Sequence, residues 1–226
     1  PMNPAAPAPA IRLADVSAAY DRRRPVFTGA DLVIDGPGLV RVHGRNGGGK
    51  STLIELVSGY LRPSDGQVRI GGLPAHDPRA HERRRVCRTE PALYPLMDVH
   101  DHVVFASRWA GADPAEGLAR AERYGLGPWM HAPAQTLSTG NRRRLWIVQC
   151  TVGAFDTVVL DEPFNGLDDE SSAVLAAELA AWARTRCVVL ICHLPPPGLA
   201  FDRVVRWPPG QAAADPAPPA DPGVRP

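Results

Sequence analysis

Gly44-Arg45-Asn46-Gly47-Gly48-Gly49-Lys50-Ser51 is the stretch that decides how this chain folds. Before it, Leu39 to His43 is a short, mostly apolar run that reads as a buried strand. After it, Ser51 to Gly59 carries the pattern of a helix. A glycine-rich loop between a strand and a helix gathers backbone N–H groups around a helix N-terminus, an arrangement that favours a bound anion.

The segment fits G-x-x-x-x-G-K-[ST] in the strand-to-helix setting that the pattern requires. Its glycines let the loop turn N–H groups inward around the α- and β-phosphates of a nucleotide. Lys50 is placed to reach the β- and γ-phosphates, and the Ser51 hydroxyl to bind Mg²⁺. Gly44, Asn46, Gly47, Gly48, Gly49, Lys50, Ser51 and Thr52 are thus the candidate nucleotide contacts. A guanine-selective N-K-x-D motif needs a lysine outside the loop, and Lys50 is the only lysine in the chain. ATP is therefore favoured over GTP.

Working outward, strand-like and helix-like segments alternate. Thr157 to Leu160 reads as a β-branched strand before a helix over Ser171 to Arg184, and Cys187 to Cys192 as another strand. Such alternation predicts an α/β fold with a mainly parallel sheet. Ile11 to Val16, Val26 to Ile34 and Gln67 to Ile70 read as short antiparallel strands beside it. From about residue 96 to 150 the pattern is helical: Asp98 caps a helix over Val99 to Ala110, Asp113-Pro114 opens a second, and Ser138 caps a third ending at Cys150.

Val158-Val159-Leu160-Asp161-Glu162 is an apolar strand ending in two carboxylates. Asp161 at the strand's C-terminal edge suits a ligand of the Mg²⁺ at Ser51. Glu162, one residue on, is the candidate general base for an attacking water.

Leu137-Ser138-Thr139-Gly140-Asn141 resembles the signature sequence of ATP-binding cassette (ABC) ATPases. Asp161-Glu162-Pro163-Phe164-Asn165-Gly166-Leu167-Asp168 resembles the Walker-B and D-loop run of that family. His193 matches its switch histidine and Tyr20 the aromatic residue that stacks on adenine. These motifs keep the family's order from Tyr20 to His193, nearly the whole stretch expected to be globular. The resemblance implies a P-loop NTPase core with an antiparallel β subdomain and a helical signature subdomain. It also implies a head-to-tail dimer, homo- or heterodimeric, in which Ser138 and the Gly140 backbone of one subunit complete the MgATP site of the other. Glu162, His193 and Lys50 are then the catalytic set, and Ser51 and Asp161 the metal ligands.

One position departs from the family pattern. Arg88-Thr89-Glu90-Pro91-Ala92-Leu93-Tyr94-Pro95 has threonine where the Q-loop presents glutamine. Thr89 is too short to bridge Mg²⁺ and the helical insertion as a glutamine would, so altered coupling is expected, with Glu90 or a water as a substitute. Thr139 and Asn141 also depart from the commoner signature residues, while Ser138 and Gly140 remain.

Composition sets the remaining bounds. Of the 25 basic residues 24 are arginine, yet the formal net charge is only +1, which offers no electrostatic argument for nucleic acid. The runs Arg22 to Arg24, Arg83 to Arg85 and Arg142 to Arg144 read as solvated faces, with a second reading for the third, which follows the signature: holding the neighbouring nucleotide or positioning the helix. Cys87, Cys150, Cys187 and Cys192 form no C-x-x-C pair and read as buried thiols of a reducing compartment. Proline-rich residues 1–10 and 208–226 are expected to be disordered, leaving a globular domain over 11–207. No apolar run is long enough to span a bilayer, nor does the start read as a signal peptide. The resemblance then implies a cytoplasmic subunit, peripheral on the inner face of the cell membrane, that drives separate transmembrane permease subunits, with export favoured. The alternative is a soluble cassette ATPase acting in cofactor or complex assembly. Only 87 residues separate Lys50 from Ser138, which excludes the long coiled-coil insertion of chromosome-type relatives.

Overall fold

A computed structural model describes residues 8–21 and 24–209. The expectation of disordered ends falls largely on residues outside that range, as do Arg22 and Arg23. In chain order the elements are β1 (Ile11–Asp21), β2 (Arg24–Ile34), β3 (Gly38–His43), α1 (Lys50–Val57), β4 (Asp65–Ile70) and β5 (Leu73–Pro74). There follow α2 (Pro78–Arg83), β6 (Arg84–Cys87), α3 (Val99–Trp109), α4 (Pro114–Arg123) and α5 (Thr139–Cys150). The chain then forms β7 (Thr157–Asp161), α6 (Asp169–Ala183), β8 (Cys187–Ile191) and β9 (Arg203–Arg206).

The strands make two sheets. One is parallel in the order β6-β7-β8-β3-β9, and the other is antiparallel in the order β2-β1-β4-β5. Because successive side chains in a strand point to opposite faces, the parallel strands feed two separate cores. Val40, Val42, Val159, Val189 and Ile191 pack with α1 and the antiparallel sheet. Leu39, Val158, Leu160, Val188 and Leu190 pack with the helices that follow, including Leu145 and Ile147 of α5 and Leu175 and Leu179 of α6. Nearly continuous apolar strands are what a sheet covered on both faces needs.

α3, α4 and α5 pack on one another as a helical arm between β6 and β7. Its starts are capped as the sequence suggests: the Asp98 carboxylate accepts from Asp101 N, Asp113 from Ala115 N, and the Ser138 hydroxyl from Asn141 N. Arg120 of α4 joins the arm to α6 with a bidentate pair to Glu178 at 2.8 and 2.7 Å.

Several expectations need correction. β1 and β2 are longer than expected and carry Tyr20 within β1. β6 and β9 were not anticipated, because each is bounded by arginines. They are the two edges of the parallel sheet, where charged flanks discourage pairing with another chain. The arginine runs are not uniformly solvated. Arg84 is buried against the carbonyls of Ala75 and Ser58, and Arg143 is buried inside the arm junction. Cys87, Cys187 and Cys192 are buried and, like the half-buried Cys150, form no disulfide.

Candidate active site

Register explains why distant motifs meet. Val42 of β3 and Asp161 of β7 both pair with Ile191 at the end of the intervening β8. The three strands therefore end level, and the segments leaving them share one edge of the sheet. Those segments are the glycine loop, Glu162 and His193.

The glycine loop is shaped by what lies behind it. A Cβ on Gly44 would sit 2.0 Å from the Trp207 carbonyl oxygen, so only glycine fits. Gly49 has φ 81°, and a Cβ there would also strike Phe27 at 2.9 Å. Trp207 and Phe27 brace the loop from below with an edge-on ring contact at 5.0 Å. The Lys50 ammonium turns back to donate to the carbonyls of Gly44 at 2.7 Å and Arg45 at 3.0 Å. Burial lowers the Lys50 pKa, and the nearby Glu162 and Asp161 carboxylates oppose that shift. Phosphate oxygens can replace the loop carbonyls as acceptors for the same ammonium.

At the end of β7 the chain turns sharply. Glu162 has φ 44°, a left-handed conformation that costs a residue with a Cβ roughly 1–2 kcal/mol. Its N–H donates to Ile191 O at 2.8 Å, and its Oε1 accepts from His193 N at 3.0 Å. The His193 ring nitrogen Nε2 lies 3.9 Å from the same oxygen. Strain held in place by neighbouring bonds is common where a carboxylate has a task.

Thr89 does not leave a gap. Its hydroxyl donates to Asp161 Oδ2 at 2.5 Å, while Glu90 is exposed and outside the cleft lining. The expected link to the helical arm comes from the other side. Arg143 of α5 donates to the main-chain carbonyls of Arg88 (2.9 Å), Thr89 (2.6 Å), Asp161 (2.9 Å), Glu162 (2.6 Å) and Pro163 (3.3 Å).

A cleft of about 760 Å³ opens over these groups, lined among others by Tyr20, Asn46, Gly47, Gly49, Lys50, Ser51, Thr52, Thr89, Asp161, Glu162 and His193. Gly44 and Gly48 shape the loop without lining the cleft. The Tyr20 ring is 62% exposed, free to present a face, while its hydroxyl is fixed: it donates to Glu55 at 2.7 Å and accepts from Thr52 at 3.3 Å. Burial raises the Tyr20 pKa. Ser138 and Gly140 do not line the cleft. Ser138 is exposed, and a Cβ on Gly140 would lie 3.1 Å from the Gly166 carbonyl.

The residues fit a magnesium nucleotide. The loop offers a lysine and inward glycines, and Ser51 and Asp161 offer two oxygen donors of the hard type that Mg²⁺ takes. Thr89 engages one Asp161 oxygen, and a cation would use the other. Sequence reading assigned no site role to Glu55 or Asn165 and did not connect Arg143 with these carbonyls. For Arg143 the available signal is spacing: it lies four residues before the buried Ile147, on the inner side of α5.

Comparisons with known proteins point to one family. A family model described as ABC transporter matches residues 28–165. The chain is 34% identical over 176 residues to the cytochrome c biogenesis ATP-binding export protein CcmA of Cupriavidus pinatubonensis, covering 76% of this chain and 77% of that protein. It is 33% identical to the biotin transport ATP-binding protein BioM of Rhodobacter capsulatus over 80% of each. The solved dimeric bacterial ABC transporter cassette MJ0796 matches with a TM-score of 0.75 at 18% identity, over 87% of this chain and 93% of that one. The last likeness concerns the fold: a P-loop NTPase core with an antiparallel β subdomain and a helical arm.

Proposed function

The chain belongs to the ABC transporter family and is one of its ATPases, and from that premise we propose that it binds and hydrolyses MgATP to power export through separate membrane-spanning subunits. The observation that carries this reading is the meeting of Lys50, Ser51, Asp161, Glu162 and His193 in one cleft at the level ends of three strands.

In this reading the loop N–H groups and Lys50 grip the phosphates, and Tyr20 receives the adenine. Ser51 and Asp161 hold Mg²⁺, which when bound neutralises charge on the β- and γ-phosphate oxygens. Glu162 takes the proton of the attacking water, its carboxylate aimed by the His193 N–H. His193 itself contacts the γ-phosphate.

Ser138 and Gly140 stand outside the cleft of their own chain, so they serve a second subunit's nucleotide at the N-terminus of α5. The dimer is a homodimer or a heterodimer with a related ATPase. The membrane partner docks in a groove of about 860 Å³ between the core and the helical arm, lined by Arg84, Arg85, Phe105, Trp109 and Gln149 among others. Trp109 is 85% exposed there, an apolar surface of the kind that partners cover. Among the described residues no helix is long and apolar enough to cross a membrane. The subunit works on the inner face of the cell membrane. Export is supported by the likeness to the Cupriavidus ATP-binding export protein, although BioM is named for biotin transport.

Cell fractionation tests this. The protein should sediment with membranes and co-purify with an integral partner, and Trp109→Ala should release it. A wholly soluble complex would point instead to the assembly ATPase.

A further inference from the structure

Arg143 is 3% exposed, and its donors are directed at five main-chain carbonyls. Two belong to the segment leaving β6, which includes Thr89, and three to the consecutive residues Asp161, Glu162 and Pro163 leaving β7. A guanidinium has a planar fork of five N–H donors, and no other side chain can serve so many acceptors at once. Burying such a charge is costly, and the five carbonyl acceptors offset that cost while holding their peptides in place.

Glu162 shows why. Its left-handed backbone is fixed on the amino side by Ile191 O and on the carbonyl side by Arg143 at 2.6 Å. Without the second restraint the peptide would be free to relax and the carboxylate to leave its bond to His193 N. The same guanidinium fixes the Thr89 carbonyl, and with it the hydroxyl that reaches Asp161. Trp146, one turn along α5, adds an indole N–H bond to Arg88 O at 2.9 Å.

We propose that Arg143 is a positioning residue for hydrolysis. It holds Glu162 in its catalytic orientation and is the rigid link through which the helical arm moves the carboxylates at the end of β7. The link runs through main-chain carbonyls, so it is indifferent to the side chain at position 89. Threonine at that position leaves the link intact. The inference rests on the reading of Glu162 as the base.

The test is a kinetic cycle of Arg143→Lys and Glu162→Gln, singly and together, with folding checked by thermal unfolding. Arg143→Lys should lower kcat on the order of tenfold or more, as small misplacements of catalytic groups do, with KM for ATP held within about threefold. In the Glu162→Gln background the same change should lower the residual rate no further, because the group it positions is gone. Equal losses in both backgrounds, unchanged kcat, or a rise in KM alone would overturn the proposal. If Glu162→Gln alone keeps full turnover, the base assignment fails instead. Should the Arg143 variant not fold, the guanidinium NMR signals of Arg143 in the native protein must shift when MgATP binds. Signals unmoved by MgATP overturn it.

Discussion

The Thr89 hydroxyl donates to the Asp161 carboxylate at 2.5 Å, joining the segment after β6 to the strand end that carries the proposed metal ligand. A glutamine at position 89 would replace this bond rather than fill a void. Thr89→Gln should therefore change the ATPase rate by less than about tenfold, the scale of a few net hydrogen bonds. Steady-state kinetics at saturating Mg²⁺ decide it. A gain of a hundredfold would mean that threonine leaves the site defective.

Gly44 has no room for a methyl group, because the Trp207 carbonyl occupies the space. Gly44→Ala should cost about 2 kcal/mol through forced backbone movement. In a chain of this size that lowers Tm by roughly 4–8 °C. Calorimetry without nucleotide checks the value, and an unchanged Tm would show that Trp207 yields freely.

Stability should fall on mild acidification. His43 has its pKa lowered by burial and by Arg41, Arg206 and Lys50, and His81 by burial and Arg84. When the folded pKa is depressed, the unfolded chain takes up the proton first, so stability is full above the unfolded pKa of about 6.5 and is lost as pH falls below it. Thermal melts between pH 7.5 and 5.5 should show the decline, and His43→Gln should flatten it. A rise in Tm over that window would contradict the assignment.

Lys50 is the one lysine of the chain and its ammonium rests on loop carbonyls. Lys50→Ala should abolish ATP-dependent dimerisation as well as turnover, because in the proposed dimer both need the γ-phosphate held between subunits. Sedimentation with and without ATP reads the first effect directly. Dimers that form equally well in the variant would place nucleotide binding elsewhere.

The sequence made the phosphate loop, the Asp161-Glu162 pair and His193 legible because each needs a particular residue type beside a strand end. The inner strands β7 and β8 were legible from their unbroken apolar runs. β6 and β9 were hidden by their arginines, which read as solvent-facing until the sheet puts them at its edges. Arg143 was hidden for a related reason: charge in a run of three suggests water. Its partners are carbonyls from segments 18 to 55 residues away, and a main-chain acceptor leaves no mark on residue type. The Thr89 contact spans 72 residues, so only the pairing of β6 with β7 makes it visible.

The central claim is that Glu162, aimed by the His193 N–H at 3.0 Å, activates the water that attacks ATP. Its most direct test is the steady-state ATP turnover of Glu162→Gln. The substitution keeps the side chain's shape and removes its basicity, so the rate should fall on the order of a hundredfold or more while ATP still binds. Turnover within a few-fold of the native rate would contradict the account.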